Sequence, residues 1–146
     1  MADFNIFNIA GSGMSAESVR LNTVASNLAN ADSVSGSPTT AYKARYPVFQ
    51  ALQASLMSPG GAPDPAQAAD AAVQVSSIVQ TTTPGTANYQ PGNPLADANG
   101  YVYSSNVNVI EQMADMISAS RSYQNDVQVL ETSKSLMLDT LKLGQI

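Results

Sequence analysis

From Asn108 to Leu143 the chain carries one unbroken helical repeat, and no other feature limits its fold so strongly. Met113, Ser120, Val127, Lys134 and Leu141 stand seven apart, as do Val109, Met116, Tyr123, Leu130 and Met137. The two sets alternate in four-then-three steps, the spacing of a heptad seam, which Ile117 and Leu138 widen. Neither Pro nor Gly interrupts it before Gly144. Asn108 is placed to cap the start, with Glu111 reaching back to it as a capping box. Such a helix spans on the order of 50 Å at about 1.5 Å per residue, too long for the interior of a 146-residue globule. It requires a partner.

A partner stands at the other end of the chain. Phe7, Met14, Leu21 and Leu28 are also seven apart, with Ala10, Gly11, Val24 and Ala25 at neighbouring helical positions, and they predict a helix over 4–30 that starts at Phe4 or Asn5. Its outer face carries Ser12, Ser15, Ser18, Asn22, Thr23, Ser26 and Asn27, and before Asp32 the charges are Asp3, Glu17 and Arg20. An exposed helix normally carries Lys and Glu there, whereas small neutral residues suit close packing against protein. Gly11 and Gly13 each weaken the isolated helix by roughly 1 kcal/mol relative to Ala. The segment reads as frayed alone and ordered by assembly, beside the plainer reading of a poorly charged helix in a bundle.

With 6 basic and 11 acidic residues, net charge −5, the chain lacks the basic stripe of a nucleic-acid binder. Cys and His are both absent, which excludes disulfides, thiol nucleophiles, the usual zinc sites and histidine acid–base chemistry. Asp3 stands where a signal peptide needs a positive start, and no window is apolar enough to cross a bilayer. By ordinary rules this predicts a cytosolic protein.

Between the helices the pattern changes. Tyr42–Gln50 alternates, with Tyr42, Ala44, Tyr46 and Val48 opposite Lys43, Arg45 and Pro47, and predicts an edge strand. Lys43 and Arg45 fit a phosphate or partner contact, although a solvated pair is the commoner arrangement. Residues 51–72, rich in Ala, Pro, Gly and Gln, predict a flexible linker or loop. Val73–Gln80 predicts a second strand, and Tyr101–Tyr103 a short one. Pro91-Gly92 and Asn99-Gly100 make 88–100 a fixed extended loop with tight turns. Asp97-x-Asn99-Gly100 has the start of a calcium loop without its repeated ligands or terminal Glu. Arg121 serves either as a surface charge paired with Asp126 or as a bond to a neighbouring subunit. The chain lacks Gly-x-Ser-x-Gly, a P-loop, Gly-x-Gly-x-x-Gly followed by helix, and a converging carboxylate pair. No enzyme, cofactor, metal or small-molecule substrate is expected.

Ser26-Asn27-Leu28-Ala29-Asn30 resembles the signature of the bacterial flagellar rod, hook and hook-associated protein family. Asn93-Pro94-Leu95-Ala96-Asp97, Gly100-Tyr101-Val102, Ser118-Ala119-Ser120-Arg121-Ser122-Tyr123-Gln124 and the run from Lys134-Ser135-Leu136-Met137 to Leu143-Gly144-Gln145 resemble its proximal-rod members. The resemblance spans both ends and the loop before the second helix, and does not depend on 51–87. It implies an α+β fold whose long terminal helices pair as a coiled coil, with 1–32 plus 106–146 as the helical domain. Residues 33–105 would be a small β-rich insertion. It implies a subunit stacked around a central channel in the periplasm, transmitting torque and passing export substrates. It also implies export by the flagellar type III apparatus without a cleaved signal. The partners implied are copies of the chain, other rod proteins, that export apparatus, and the membrane ring or export-gate adapter at the rod base.

On this reading Phe7, Met14, Leu21, Val24 and Leu28 bury against Met113, Met116, Ile117, Tyr123, Val127, Leu130, Met137, Leu138 and Leu141, each fully buried large side chain contributing roughly 1.5–3 kcal/mol. The remaining low-charge faces meet neighbouring subunits. The competing reading is a soluble helical adaptor or chaperone-like protein that uses the same seams to hold one partner.

Overall fold

A computed structural model of the chain describes residues 2–53 and 71–144. Two long helices, α1 (Ala2–Ala29) and α2 (Val109–Leu143), enclose five strands in sequence: β1 (Val34–Ser35), β2 (Arg45–Gln53), β3 (Ala71–Gln80), β4 (Ala87–Tyr89) and β5 (Tyr101–Ser104). The α+β class expected from the sequence is the class observed. The chain divides into two compact units, one of 20–48 and 77–118, the other of 1–19, 49–76 and 119–146. Each helix contributes to both.

In the first unit, β5 is the centre of a three-stranded sheet of order β1-β5-β4. Both pairings are antiparallel, with Val34 opposite Ser104 and Ser35 opposite Tyr103 on one side, and Ala87 opposite Tyr103 and Tyr89 opposite Tyr101 on the other. Val102 is the fully buried residue of the central strand. Backbones approach so closely here that a Cβ on Gly85 would meet the Ser104 carbonyl oxygen at 1.7 Å. β1 was not expected; two residues are too few to generate a period.

The loop between β4 and β5 is fixed by side-chain acceptors. Asn93 Oδ1 accepts from the Leu95 amide at 3.0 Å, and Asp97 Oδ1 accepts from the amides of Asn99 (2.8 Å) and Tyr101 (2.9 Å). Gly100 takes φ +80°, the left-handed conformation that glycine adopts without a Cβ penalty. These bonds account for Asp97-x-Asn99-Gly100 as a turn. They also hold the Asp97 carboxyl below the usual carboxylate range: the Tyr101 amide does most, against some desolvation, helped by the Asn99 amide, the Tyr103 hydroxyl and the Gly100 amide.

β2 and β3 form a separate two-stranded ribbon. β2 begins at Arg45 rather than Tyr42, because the Ala44 and Arg45 amides are taken by Asn106 Oδ1 (2.7 Å) and Asn27 Oδ1 (3.0 Å). The strands also run past the bounds expected for them, so 51–53 and 71–72 are strand and not linker; the rest of that predicted stretch, 54–70, lies outside the described residues.

In each unit α1 and α2 run antiparallel. In the first, Asn27 meets Gln112 and Arg20 meets Asp115; in the second, Gly13 lies under Asp126, and Ile6 and Phe7 border a groove with Ser133, Leu136, Met137 and Thr140. α1 begins at Ala2, two residues before the earliest start expected, and ends where Asn30 Nδ2 donates to the Ser26 carbonyl at 2.8 Å. α2 is capped as expected by Asn108, whose Oδ1 accepts from the amides of Ile110 (3.1 Å) and Glu111 (3.4 Å). Among the described residues Glu111 returns no bond from its carboxylate.

The seam of α2 is displaced from the one expected. Met116, Tyr123, Val127, Leu130 and Met137 are half-buried, but Gln112 and Ala119 are fully buried. Met113 (53% exposed), Ile117 (56%), Leu138 (49%) and Leu141 (59%) face outward, so their expected burial between the two helices is corrected. At the start of the helix the reason is a hydrogen bond: Gln112 is drawn inward by Asn27, which turns the adjacent Met113 outward. On α1, Val24 is buried and Phe7, Met14, Leu21 and Leu28 are half-buried.

Gly85→Ala should lower the unfolding free energy by at least about 2 kcal/mol, since its Cβ has backbone as its obstacle. A denaturant titration checks this. The Asp97 bonds give a second expectation. A depressed folded pKa means that the stabilisation is full above the ordinary carboxylate range and is lost as pH falls through the lower, folded value. The Tyr101 amide resonance should shift in that acid window, and should not do so in Asp97→Ala.

Candidate functional site

The family-type motif at the end of α1 builds the most connected polar site in the first unit. Asn27 is fully buried. Its Nδ2 donates to the Arg45 carbonyl and to Gln112 Oε1, both at 2.8 Å. Its Oδ1 accepts from the Arg45 amide and the Tyr42 hydroxyl, both at 3.0 Å. One side chain thus ties α1 to the start of β2 and the first turn of α2, with donors and acceptors all used. Gln112, also fully buried, donates from Nε2 to the Tyr46 hydroxyl at 3.4 Å. Burial first, then the Glu111 and Asp115 carboxylates, push the Tyr46 phenol above its ordinary value, so it stays neutral and available as a hydrogen-bond partner.

Asn106 makes a parallel junction. Its Oδ1 accepts from the Ala44 amide, while its Nδ2 donates to Thr81 Oγ1 (2.6 Å) and to the Thr83 carbonyl (2.7 Å). The Thr81 amide donates in turn to the Ala44 carbonyl at 2.9 Å, closing the base of the ribbon. Neither Asn106 nor Gln112 was expected from the sequence as a site residue. The signal available for each was only an amide side chain next to apolar positions.

The remaining motif residues fall into two groups. Ser26 (within 3.3 Å of the Tyr42 hydroxyl), Asn30, Asn93 and Asp97 hold local backbone or hub contacts, whereas Ala29, Pro94 and Leu95 are exposed. Arg45 and Tyr42 belong to the hub rather than to a phosphate site: the guanidinium stands 5.6 Å from the Tyr42 ring centroid. Arg121 is exposed and forms no ion pair with Asp126 or any other described residue; Tyr123 is half-buried two positions along. Among the described residues, no group of three or more His, Cys, Asp or Glu could hold a metal ion. The site positions backbone. It presents no reacting group.

Both terminal segments of this architecture match families of the bacterial flagellar rod. Residues 7–36 match the family described as Flagella basal body rod protein, and residues 98–143 match the Flagellar basal body rod FlgEFG protein C-terminal family. The chain is 50% identical over 145 residues to flagellar basal-body rod protein FlgC of Salmonella typhimurium strain LT2, and 51% identical over 145 residues to FlgC of Escherichia coli O157:H7. It is 42% identical over 149 residues to FlgC of Buchnera aphidicola subsp. Schizaphis graminum. Each comparison covers 99% of this chain and 100% of the relative. The chain belongs to the FlgC family of flagellar basal-body rod proteins.

Asn27→Ala strands the Arg45 amide and carbonyl and the Gln112 amide at once. At roughly 1–3 kcal/mol for each buried group left unsatisfied, it should cost about 3 kcal/mol or more. Exposed Ala29→Ser, two residues away, should stay within about 0.5 kcal/mol. Chemical denaturation of both variants checks the contrast.

Proposed function

We infer that this rod subunit polymerises through its terminal helices into a hollow drive shaft, the proximal rod, which transmits torque and passes export substrates. The observation that carries the reading is the amount of large apolar surface left exposed on α2. Its fully buried positions are Gln112 and Ala119, while Ile110, Met113, Ile117, Leu136, Leu138, Leu141 and Leu143 lie exposed along it. Apolar residues exposed at that density on one long element mark contact with other protein. Because the exposed stripe and the faces available to receive it are different surfaces, contacts run head to tail and extend rather than close as a dimer.

The role is structural rather than catalytic. The partners are copies of the chain, other rod proteins, the type III export apparatus, and the membrane ring or export-gate adapter at the rod base. The working site is periplasmic, reached by export without a cleaved signal. No helix among the described residues is long and apolar enough to cross a membrane. In this reading the terminal helices of 1–32 and 106–146 pair as the helical domain, and 33–105 forms a small outer piece.

Circular dichroism and sedimentation of the purified chain, alone and mixed with other rod subunits, test the reading. Helicity should rise with entry into large assemblies. Leu138→Ser with Leu141→Ser should leave the thermal stability of the free chain within about 1 kcal/mol, these being exposed positions, while assembly falls sharply. A small oligomer of fixed size and helicity, indifferent to both substitutions, would overturn it in favour of the adaptor.

A further inference from the structure

In the unit of 1–19, 49–76 and 119–146, a groove of about 290 Å³ is walled by Ile6, Ile9, Val73 and Val129, with Asp126 the sole ionisable lining residue among the described residues. The Asp126 carboxylate lies over Gly13, where even a Cβ would come within 2.8 Å of Oδ2. Among the described residues Asp126 makes neither an ion pair nor a hydrogen bond. A carboxylate set against apolar walls favours a cation that brings apolar surface with it.

The chain carries such a surface on α2. Ile110, Ala114, Ile117 and Arg121 recur in four-three-four steps and so share one helical face. Ile110 is 80% exposed, Ile117 is also exposed, and Met113 flanks them. Three other cations are engaged within the chain, Arg20 with Asp115, Lys142 with Asp139 and Arg45 over the Tyr42 ring, and Lys43 is half-buried on another element. Lys134 is exposed beside Leu138 and Leu141, but its ammonium is a strongly hydrated point charge. The Arg121 guanidinium is more weakly hydrated and has the planar fork that matches a carboxylate.

We propose that the Ile110–Ile117 stripe of one copy seats in the Ile6–Val129 groove of a second copy, with Arg121 of the first pairing with Asp126 of the second. Groove and stripe are different surfaces, so each copy both receives and inserts, and the contact propagates. The inference rests on the rod-subunit reading and assigns it an interface.

Charge exchange in the full chain tests the contact, with sedimentation as readout and circular dichroism to verify folding. Arg121→Glu and Asp126→Arg should each weaken self-association at least about tenfold, and the double variant should recover it. Because the chain has no cysteine, a second test is available. Chains bearing Ile117→Cys, mixed with chains bearing Val129→Cys, should form a mixed disulfide on oxidation. Single reversals that assemble like the parent, with no mixed disulfide, would overturn this contact and leave the rod reading standing. A parent chain that enters assemblies only with other rod subunits would show that a different protein fills the groove, and would overturn it likewise. A chain that enters no assembly of either kind would overturn both.

Discussion

The buried amide of Asn27 is the interaction on which the first unit depends. It sits where three segments far apart in sequence meet: the end of α1, the start of β2 and the first turn of α2. A hydrophobic side chain at that point would leave the Arg45 amide and carbonyl without partners away from water, at a cost larger than its own burial returns. An amide can donate twice and accept twice, and Asn27 does so. Its short side chain also fixes distance, so the helix end and the strand start cannot slide past one another without breaking several bonds together.

With polar geometry fixing position, the interior can be made of small residues. The buried apolar side chains of the described residues are Ala10, Ala16, Val24, Ala31, Ala41, Ala44, Val102 and Ala119. Most are alanines, which bring backbones close but remove little apolar area from water. Many large side chains, among them Ile110, Ile117, Ile78, Val79, Leu136 and Leu143, are left outside. A two-stranded ribbon such as β2–β3 is likewise marginal on its own, and exposes Val48, Phe49, Leu52, Val73, Ile78 and Val79. Both facts point the same way. The apolar surface that would stabilise an isolated globule is left at the surface of the chain instead.

That inversion explains which parts of the fold were legible. The two helices were, because a 3.6-residue period sustained over so many turns has no competing explanation. The turn at 97–100 was as well, since Asn-Gly states its own backbone requirement, and Gly100 meets it. The seam of α2 was half legible. Met116, Tyr123, Leu130 and Met137 are large and turn inward, so hydrophobic pattern finds them; Gln112 and Ala119 are polar or small, so the same pattern passes over them and selects Met113 instead. Gln112 is buried because of Asn27, eighty-five positions away, and no local window contains that information. The start of β2 moved for the same reason, the amides of Ala44 and Arg45 being claimed by Asn106 and Asn27. β1 is defined solely by its pairing with β5.

A subunit built in this way would be marginal alone and gain stability from its neighbours in a rod. A stripe of large apolar residues on the outside of a helix contributes little to the free chain, so the helix relies on its polar junctions and on small-residue contacts such as Gly13 beneath Asp126. A neighbour that covered these residues would add burial which the single chain lacks, chiefly over 109–117 and 136–143 of α2. Stability would thereby be moved from the subunit into its contacts. If those contacts are made by unlike surfaces, every added copy presents the next uncovered stripe, and order propagates in the direction of growth. Apolar burial would supply the strength of such an interface, while a charged pair at its margin would set the register. That division is already visible inside the chain, where Asn27 and Gln112 set position and the alanines around them merely allow approach.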